Sequence, residues 1–533
     1  MRLTRVIYAA TAVALVAASL TATGAVAAPR TTAPTLVRPS ANLTGFYKQH
    51  IVWTKCPGYS SVKCTWIKVP LDYGKTNGDT LRLRVALHPA SVSAHNLGDL
   101  FTNPGGPGGG GIDVAENATQ YLPSEITQHY NVVGIDPRGV GMSNPIHCLT
   151  TAGLDSLNGF GPNPVNSTPT TLADIAKWDA FTKAFGAACK ARNPKLFDHI
   201  GTQNAARDMD VVRVVLGQNK LTYYGWSYGT YLGAWYAQLF PKHVARFVLD
   251  GAIDPSLDNM TSSYNQLKAF ENELHRFLTD CPNHQNCPKK LSGTGAQNFA
   301  TFQKLSASLT LVEPKQTQPG LPNTGYPQFL TQNLFLTAVI GMMYSDTFGW
   351  DLLRQALANL LDTSNPNGQL MLQLAYFEDG KDPNTLQYQD NLAEAFNAIS
   401  CYDYPAPPNI SNMSNDIAGT WAQQFPAFGQ SFAWGQQICA QWPAHSSVRP
   451  QQLHAKGSGP ILVVGTKYDP ATPYAGAVSL SKQLQNGHLL TWIGDGHTAY
   501  NRGSACIDGY ITKYLLSGKL PPKGKVCPAV RRP

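Results

Sequence analysis

The pentapeptide at 225–229, Gly-Trp-Ser-Tyr-Gly, matches the Gly-x-Ser-x-Gly pattern of a nucleophile elbow. An apolar run at 221–224 precedes it, and a stretch with helical spacing follows at 230–240. A serine on such a sharp strand-to-helix turn takes a strained backbone conformation, and the flanking glycines leave room for strand and helix to approach each other. The pattern therefore predicts that Ser227 attacks a carbonyl carbon in an acyl-transfer reaction.

A serine hydroxyl is a weak nucleophile and needs a base, and in proteins with this elbow an acid and then a histidine follow the serine along the chain. Asp469 follows an apolar run at 460–465, and His497 follows the next one at 489–493. We expect His497 to take the serine proton and pass it to the leaving group, while Asp469 fixes the imidazole tautomer. Asp495 is a rival acid, but it is too close to His497 in the chain to approach it from a neighbouring strand end.

Acyl transfer also creates a negative oxygen that needs preorganised N–H donors. We expect one donor to be the backbone of Tyr228 and the other to come from a glycine-dense loop at 103–111, Asn-Pro-Gly-Gly-Pro-Gly-Gly-Gly-Gly. No Gly-Lys-Ser/Thr follows this loop, which disfavours a P-loop. The loop also lacks the glycine spacing and the downstream acid of a dinucleotide site.

Strands and helices alternate around these motifs, which predicts a parallel α/β sheet. Strands are predicted at 81–88, 98–101, 130–135, 221–224 and 244–249, and helices at 172–192, 205–216 and 230–240. From 255 to 449 the alternation gives way to helical spacing, for example at 264–278 and 335–361, which indicates a mostly helical insertion. The alternation then returns with strands at 460–465 and 489–493 and helices at 478–485 and 507–516.

Composition limits the class of protein. Hydrophobic residues make up 43% of the 533-residue chain and charged residues 14%, which excludes a disordered chain. The net charge is +8, but lysines and arginines are scattered rather than gathered in a stripe, so we expect no nucleic-acid partner.

The N-terminus has the features of an export signal. Arg2 and Arg5 precede an Ala/Val/Leu-rich stretch at 7–20, and Ala-Val-Ala at 25–27 is the small-x-small pattern that signal peptidase recognises. We predict a signal peptide at 1–27, the alternative being an uncleaved membrane anchor. A flexible Thr/Pro/Ser-rich leader is predicted at 28–50. No later stretch is long and apolar enough to span a membrane, so the predicted location is extracellular, free or associated with the cell wall.

The ten cysteines agree with export, because their number is even and disulfides persist outside the cell. Zinc sites usually need paired short spacings, which are absent, so we expect no metal. Sequence cannot fix the connectivity. The simplest hypothesis pairs neighbours: Cys56–Cys64, Cys148–Cys189, Cys281–Cys287, Cys401–Cys439 and Cys506–Cys527.

Together these segments resemble the tripeptidyl/prolyl aminopeptidase family of secreted bacterial α/β-hydrolases. The resemblance covers 51–527 and is carried by Asn-Pro-Gly-Gly-Pro-Gly at 103–108, Asp-Pro-Arg-Gly-Val-Gly-Met-Ser at 136–143, the serine elbow and the C-terminal acid and histidine. Ala-Ile-Ser-Cys-Tyr-Asp at 398–403 is similar to the tripeptidyl branch. Prolyl aminopeptidases place histidine before Gly-Gly-Pro-Gly, whereas this chain has Pro104, which favours the tripeptidyl branch.

The resemblance implies an α/β-hydrolase fold with a mostly parallel central sheet. The core would occupy 51–254 and 450–533, and a helical cap would occupy 255–449. It also implies a Ser227–His497–Asp469 triad, with the N–H groups of Gly106 and Tyr228 forming the oxyanion hole. No metal or cofactor is implied.

Exopeptidase action in this family further implies cap carboxylates that hold the free amino terminus of the substrate. We favour Asp403, with Glu271 and Glu273 as further candidates. The other acids considered in the insertion are Asp346, Glu378 and Asp379.

The sequence therefore predicts a secreted, monomeric serine exopeptidase that releases tripeptides from the free N-terminus of peptides or proteins. A carboxylesterase or lipase on the same fold is the main alternative, because its triad chemistry is identical. A catalytically silent surface binding protein is a third hypothesis. The complete triad, in the expected order, argues against it.

Overall fold

The computed structural model describes residues 42–160, 165–309, 330–406 and 418–530. The predicted signal peptide and residues 28–41 of the predicted leader lie outside the described residues. The leader ends earlier than predicted, because Thr44–Tyr47 is a helical turn, and its Phe46 and Tyr47 side chains pack against the core together with the preceding Leu43. The Tyr47 hydroxyl also donates a hydrogen bond to Asp210 at 3.4 Å.

Ten strands form one sheet in the order β1-β2-β3-β5-β4-β6-β7-β8-β9-β10. In chain order they are β1 Thr54–Lys55, β2 Lys63–Pro70, β3 Thr80–His88, β4 Asp99–Asn103, β5 Asn131–Ile135, β6 Leu221–Trp226, β7 Val244–Asp250, β8 Ile461–Tyr468, β9 Gly487–Asp495 and β10 Val526–Cys527. The first three strands run antiparallel to their neighbours, and the pairs from β5 to β10 are parallel. The α/β-hydrolase fold and its mostly parallel sheet are confirmed.

The central strands are apolar on both faces because helices cover both sides of the sheet. In β6, β7 and β8 most residues are buried, and Val463 on β8 belongs to a different hydrophobic cluster from its neighbours Leu462 and Val464. Alternate residues of one strand thus contribute to the two sides of the core. The helices outside the insertion are Gly111–Glu116, Ala118–Tyr121, Ser124–His129, Thr151–Asn158, Leu172–Arg192, Thr202–Val215, Tyr228–Leu239, Tyr474–Gln483 and Ala505–Ser517.

The insertion between β7 and β8 is helical. Its helices are Asn259–Asp280, Gly295–Ser308, Gln332–Met342, Phe348–Leu361, Gln369–Glu378, Leu392–Asp403 and Gly429–Ala440, and residues 418–424 are also helical. The helical stretch predicted at 335–361 is two helices, because the chain turns after Met342. A Cβ on Gly349 would lie 2.2 Å from the Met342 carbonyl oxygen, so this turn requires glycine.

One segment outside the insertion joins it. The helix Leu172–Arg192 packs against Gly429–Ala440, and Trp178 Nε1 donates a hydrogen bond to the Trp434 carbonyl at 3.0 Å. The cap over the sheet is therefore built from more than residues 255–449.

Five disulfides are present: Cys56–Cys64, Cys148–Cys189, Cys281–Cys287, Cys401–Cys439 and Cys506–Cys527. These are the neighbour pairs named from the sequence. Cys401–Cys439 links two cap helices, and Cys506–Cys527 ties β10 to the last helix. Over the part of the chain described, no helix has the length and apolarity needed to cross a bilayer.

Candidate active site

Ser227 lies on the sharp turn between β6 and the helix Tyr228–Leu239. Its φ is 54° and its ψ is −124°, a conformation that non-glycine residues rarely adopt. Both flanking glycines are required. A Cβ on Gly225 would lie 2.4 Å from the Gly229 carbonyl oxygen, and a Cβ on Gly229 would lie 2.6 Å from the Asn103 carbonyl oxygen. The Ser227 N–H donates to the Asp250 carbonyl at 2.9 Å, which anchors the turn to β7.

His497 and Asp469, the predicted base and acid, contact each other. His497 Nδ1 lies 2.9 Å from each oxygen of the Asp469 carboxylate, and both side chains are 0% exposed. Asp469 follows β8 and His497 follows β9, so the carboxyl ends of adjacent parallel strands bring them together. This geometry orients the imidazole with Nδ1 toward the acid.

Further donors surround the Asp469 carboxylate. It accepts hydrogen bonds from the backbone N–H groups of Ala471 at 2.9 Å, Thr472 at 2.8 Å and Thr498 at 3.1 Å, and from the Thr472 hydroxyl at 2.9 Å. Thr472 Oγ1 also lies 3.2 Å from His497 Nδ1. These donors hold the carboxylate in a fixed position against the imidazole. Sequence reasoning missed Thr472, although the Asp-x-x-Thr spacing at 469–472 is typical of a side-chain-capped turn.

Replacing Thr472 with valine is expected to lower kcat by about tenfold, because a hydrogen bond to a charged group is lost from the Asp469–His497 pair. Thr472→Ser keeps the hydroxyl and is the matched control, with kcat expected within about threefold of wild type. Steady-state kinetics on one ester substrate measure both. Equal kcat values for the valine and serine variants would contradict a role for the hydroxyl.

The cap holds the histidine loop in place. The His497 N–H donates to the Tyr344 carbonyl at 2.9 Å, and the Tyr344 ring meets the imidazole edge-to-face at 5.3 Å. Arg502 donates to the carbonyl oxygens of His497 at 2.7 Å and Tyr344 at 3.3 Å, and it pairs with Asp346 at 3.1 Å. The N–H of the preceding residue, Gly496, donates a hydrogen bond to Glu273 of the cap.

The glycine-dense loop lies directly against the elbow. Gly105, Gly106 and Gly108 have φ values of 100°, 103° and 107°, a region that favours glycine. A Cβ on Gly105 would lie 2.8 Å from Ser227 Cβ and 3.1 Å from the Tyr228 nitrogen. The loop backbone therefore approaches the nucleophile as closely as an oxyanion hole requires.

The three acids predicted to bind an amino terminus lie in different places. Asp403 lines the cleft that also contains Ser227, Gly106, Pro107 and Tyr228. Glu271 accepts hydrogen bonds from the N–H groups of Ala427 at 3.0 Å and Phe428 at 3.2 Å, just before the helix Gly429–Ala440 begins, and burial raises its pKa to about 7.

Glu273 is fully buried behind the histidine loop, where its Oε1 accepts from the Gly496 N–H at 2.9 Å. Burial, with Asp495 nearby, raises the pKa of Glu273 well above its usual value. Neither Glu271 nor Glu273 is among the residues that line the Ser227 cleft.

Asp403 is part of a buried polar chain. Its carboxylate accepts from the Thr202 N–H at 3.0 Å and from the Thr202 hydroxyl at 2.5 Å, and the Tyr228 hydroxyl in turn donates to Thr202 at 2.5 Å. Burial raises the pKa of Asp403 to about 6, and the hydrogen bonds from Thr202 act in the opposite direction. Asn259 lines the same cleft. Its amide nitrogen donates to the Tyr404 carbonyl at 2.8 Å.

Comparisons with known proteins agree with this geometry. A family model described as "alpha/beta hydrolase fold" matches residues 100–291, and one described as "TAP-like protein" matches residues 424–527. "Serine protease Hip1" of Mycobacterium tuberculosis is 34% identical over 90% of this chain and 91% of its own length. "Carboxylesterase B" of the same organism is 33% identical over 88% of this chain and 86% of its own. "Tripeptidyl aminopeptidase" of Streptomyces lividans is 30% identical over 87% of this chain and 83% of its own.

Proposed function

Because the chain belongs to the α/β-hydrolase family that includes the tripeptidyl aminopeptidases, we propose that it is an exported serine exopeptidase that removes tripeptides from the free N-terminus of its substrates. The observation that carries this proposal is a single cleft. It contains Ser227, the backbone at Gly106 and Pro107, and the buried carboxylate of Asp403.

In this proposal Ser227 attacks the carbonyl carbon of the scissile bond while His497 takes its proton. The N–H groups of Gly106 and Tyr228 bind the oxygen that becomes negative. His497 then protonates the leaving amine, and an acyl-enzyme remains on Ser227. A water molecule, deprotonated by His497, hydrolyses the acyl-enzyme and releases the short peptide. Asp469 stabilises the charged imidazole in both halves of the reaction.

The distance between nucleophile and acid supports a short product. One tyrosine side chain and two hydrogen bonds of 2.5 Å connect the elbow to Asp403 through Thr202. Measured from the Tyr228 Cα, that route is at most about 12 Å long, and three extended residues reach about 10 Å. An amino terminus held at Asp403 in the Ser227 cleft is therefore consistent with cleavage only a few residues along the substrate.

The proposal is tested with two fluorogenic tripeptide amides that are identical except for N-acetylation. Wild type is expected to cleave only the free-amine substrate, and Ser227→Ala to lose that activity. Equal turnover of both substrates would reject recognition of the amino terminus.

The pH dependence offers a second test, because Asp403 must be ionised to bind an ammonium group. Its pKa of about 6 predicts that kcat/KM for the free-amine peptide, divided by kcat/KM for a simple ester, falls about tenfold per unit below pH 6. The quotient isolates Asp403, because His497 acts on both substrates. In Asp403→Asn the quotient should be low at all pH values and no longer change near pH 6. A wild-type quotient that stays constant from pH 5 to 8 would contradict the assignment.

A carboxylesterase is the second candidate function, and the 33% identity to "Carboxylesterase B" favours it. The triad chemistry would be the same, so only the choice of substrate distinguishes an esterase from a peptidase. If acyl esters without a free amine are hydrolysed and neither tripeptide amide is, the esterase is correct and the triad assignment still stands.

Export rests on the sequence of residues 1–27 and on the five disulfides. Disulfides of this number are typical of proteins that leave the reducing cytosol. We expect the mature chain in the culture medium or on the cell wall to begin after Ala27, which N-terminal sequencing would establish.

A further inference from the structure

A second cavity adjoins the catalytic cleft. The two share Phe396, Asn397, Gly435 and Ile438 as lining residues, and Gly435 places no side chain between them. The second cavity has a volume of about 150 Å³. An engineered protein cavity of that size holds one benzene molecule, so this one has room for a single side chain of a substrate.

The walls of the second cavity are largely apolar. They come from the helix Leu172–Arg192 and its preceding segment as well as from cap helices, and their large side chains are Leu157, Trp178, Leu336, Ile340, Phe396 and Phe432. Such walls suit a hydrocarbon stem. Ser227 does not line this cavity, so the cavity would hold a side chain rather than the scissile bond.

Two adjacent acids, Glu378 and Asp379, are the charged residues of these walls, which also carry the uncharged polar side chains of Asn158, Asn333 and Asn397. The Oδ2 of Asp379 is buried, and no hydrogen bond to it is found among the described residues. The residue directly follows the helix Gln369–Glu378, and its N–H donates to the Ala375 carbonyl at 3.0 Å. The C-terminal end of a helix carries partial negative charge, so a carboxylate is unfavourable there. Burial raises the pKa of Asp379 to about 8.

The cationic side chain that acts on Asp379 is paired with another acid. Lys381 forms an ion pair with Asp155, and its ammonium group lies over the rings of Phe160, Tyr376 and Tyr388. Lys381 offsets the effect of burial on Asp379 only in part. Among the described residues, the carboxyl group of Asp379 therefore has no cation of its own at this cavity.

We propose that this cavity is a specificity subsite for a lysine or arginine side chain of the peptide substrate. The aliphatic stem would lie against the apolar walls, and the cationic head would pair with Asp379. The inference rests on the proposed peptidase function and narrows its substrates to peptides with a basic residue in the released segment. An uncharged or acidic side chain would form no ion pair with Asp379, and an acidic one would also lose its hydration on entering the cavity.

The test uses tripeptide amides in which lysine, norleucine or glutamate occupies each of the three positions in turn. Norleucine has a similar stem without the charge. At one position, wild type is expected to prefer lysine over norleucine by about tenfold or more in kcat/KM, and glutamate to be the poorest substrate. Asp379→Asn should reduce the lysine-to-norleucine ratio to near one and change the norleucine rate by less than about threefold. Asp390→Asn, which alters an exposed acid of the same cap, should keep the ratio.

A wild-type enzyme with no lysine preference at any position would overturn the proposal, and so would a preference that survives in Asp379→Asn. The comparison of substrates with the wild-type enzyme tests the proposal even if no variant folds. If Asp379→Asn does not fold, Asp379→Ser, which also removes the charge, is used in its place.

A separate measurement distinguishes failure of the subsite from failure of the peptidase function. The lysine and norleucine tripeptides are tested as competitive inhibitors of ester hydrolysis by the full chain. If peptide amides are not cleaved but the lysine tripeptide inhibits about tenfold more tightly, the subsite stands and the peptidase function fails. Equal inhibition constants, together with normal peptide cleavage, would reject the subsite and leave the peptidase function standing.

Discussion

Replacing Asp469 with asparagine is expected to lower kcat by about 10⁴-fold while leaving KM within a few-fold of wild type. The amide would preserve the shape of the side chain. It would remove the charge that stabilises the imidazolium, and its NH₂ group would favour the wrong tautomer of His497. Both oxygens of Asp469 lie 2.9 Å from His497 Nδ1, so the effect acts directly on the base. Steady-state kinetics on an ester and on a peptide amide should show the same loss, because both reactions need the same proton transfer.

The matched control is Asp495→Asn, the same substitution at the rival acid. Asp495 pairs with Arg276 near the surface, and we expect kcat to stay within about threefold of wild type. A large loss in Asp495→Asn together with near-normal kcat in Asp469→Asn would mean that the two acids have been assigned the wrong way round.

The positions of the three predicted triad residues could be anticipated because each follows a parallel strand. Ser227 follows β6, Asp469 follows β8 and His497 follows β9, and the carboxyl ends of parallel strands lie at one edge of a sheet. Local sequence patterns were therefore sufficient to predict where these three residues lie in the sheet. The glycine loop after β4 reaches the same edge for the same reason.

The support of the histidine loop could not be predicted, because it comes from residues far away in the chain. Tyr344 and Glu273 belong to the cap and bond to His497 and Gly496, whereas Arg502, which also bonds to His497, is close to it in the chain. No periodicity in the sequence indicates which cap residue reaches the core. Strand β2 was missed for a different reason. It lies near the edge of the sheet and exposes Lys63, Trp66 and Lys68, so its apolar pattern is weak.

The choice among cap acids shows the same limit. Glu271 and Glu273 are two residues apart on one helix, and side chains at that spacing point in different directions. The side chains of Glu271 and Glu273 could therefore not both face one cleft. Asp403 follows Cys401, whose disulfide to Cys439 fixes the end of its helix beside the helix Gly429–Ala440. The cleft position of Asp403 thus depends on a long-range connection that spacing alone does not reveal.

Gly105→Ala is expected to reduce kcat/KM by at least about 10²-fold on every substrate, the magnitude associated with losing one oxyanion-hole donor. The new methyl group would lie 2.7 Å from the Trp226 carbonyl oxygen, 2.8 Å from Ser227 Cβ and 3.1 Å from the Tyr228 nitrogen. Backbone atoms cannot yield as a flexible side chain can. The loop must therefore move away from the elbow, and the N–H groups of Gly106 and Tyr228 would no longer converge on one oxygen.

The control for this variant is Gly217→Ala. Gly217 also has a positive φ, 74°, but a Cβ there would meet no atom within 4 Å. Both variants should lose about 1 kcal/mol of stability from the backbone conformation, which thermal unfolding would measure. Only Gly105→Ala should lose activity in the folded state. If folded Gly105→Ala retained wild-type kcat/KM, the glycine loop would not supply an oxyanion donor, and the second N–H would have to come from another segment at the carboxyl edge of the sheet.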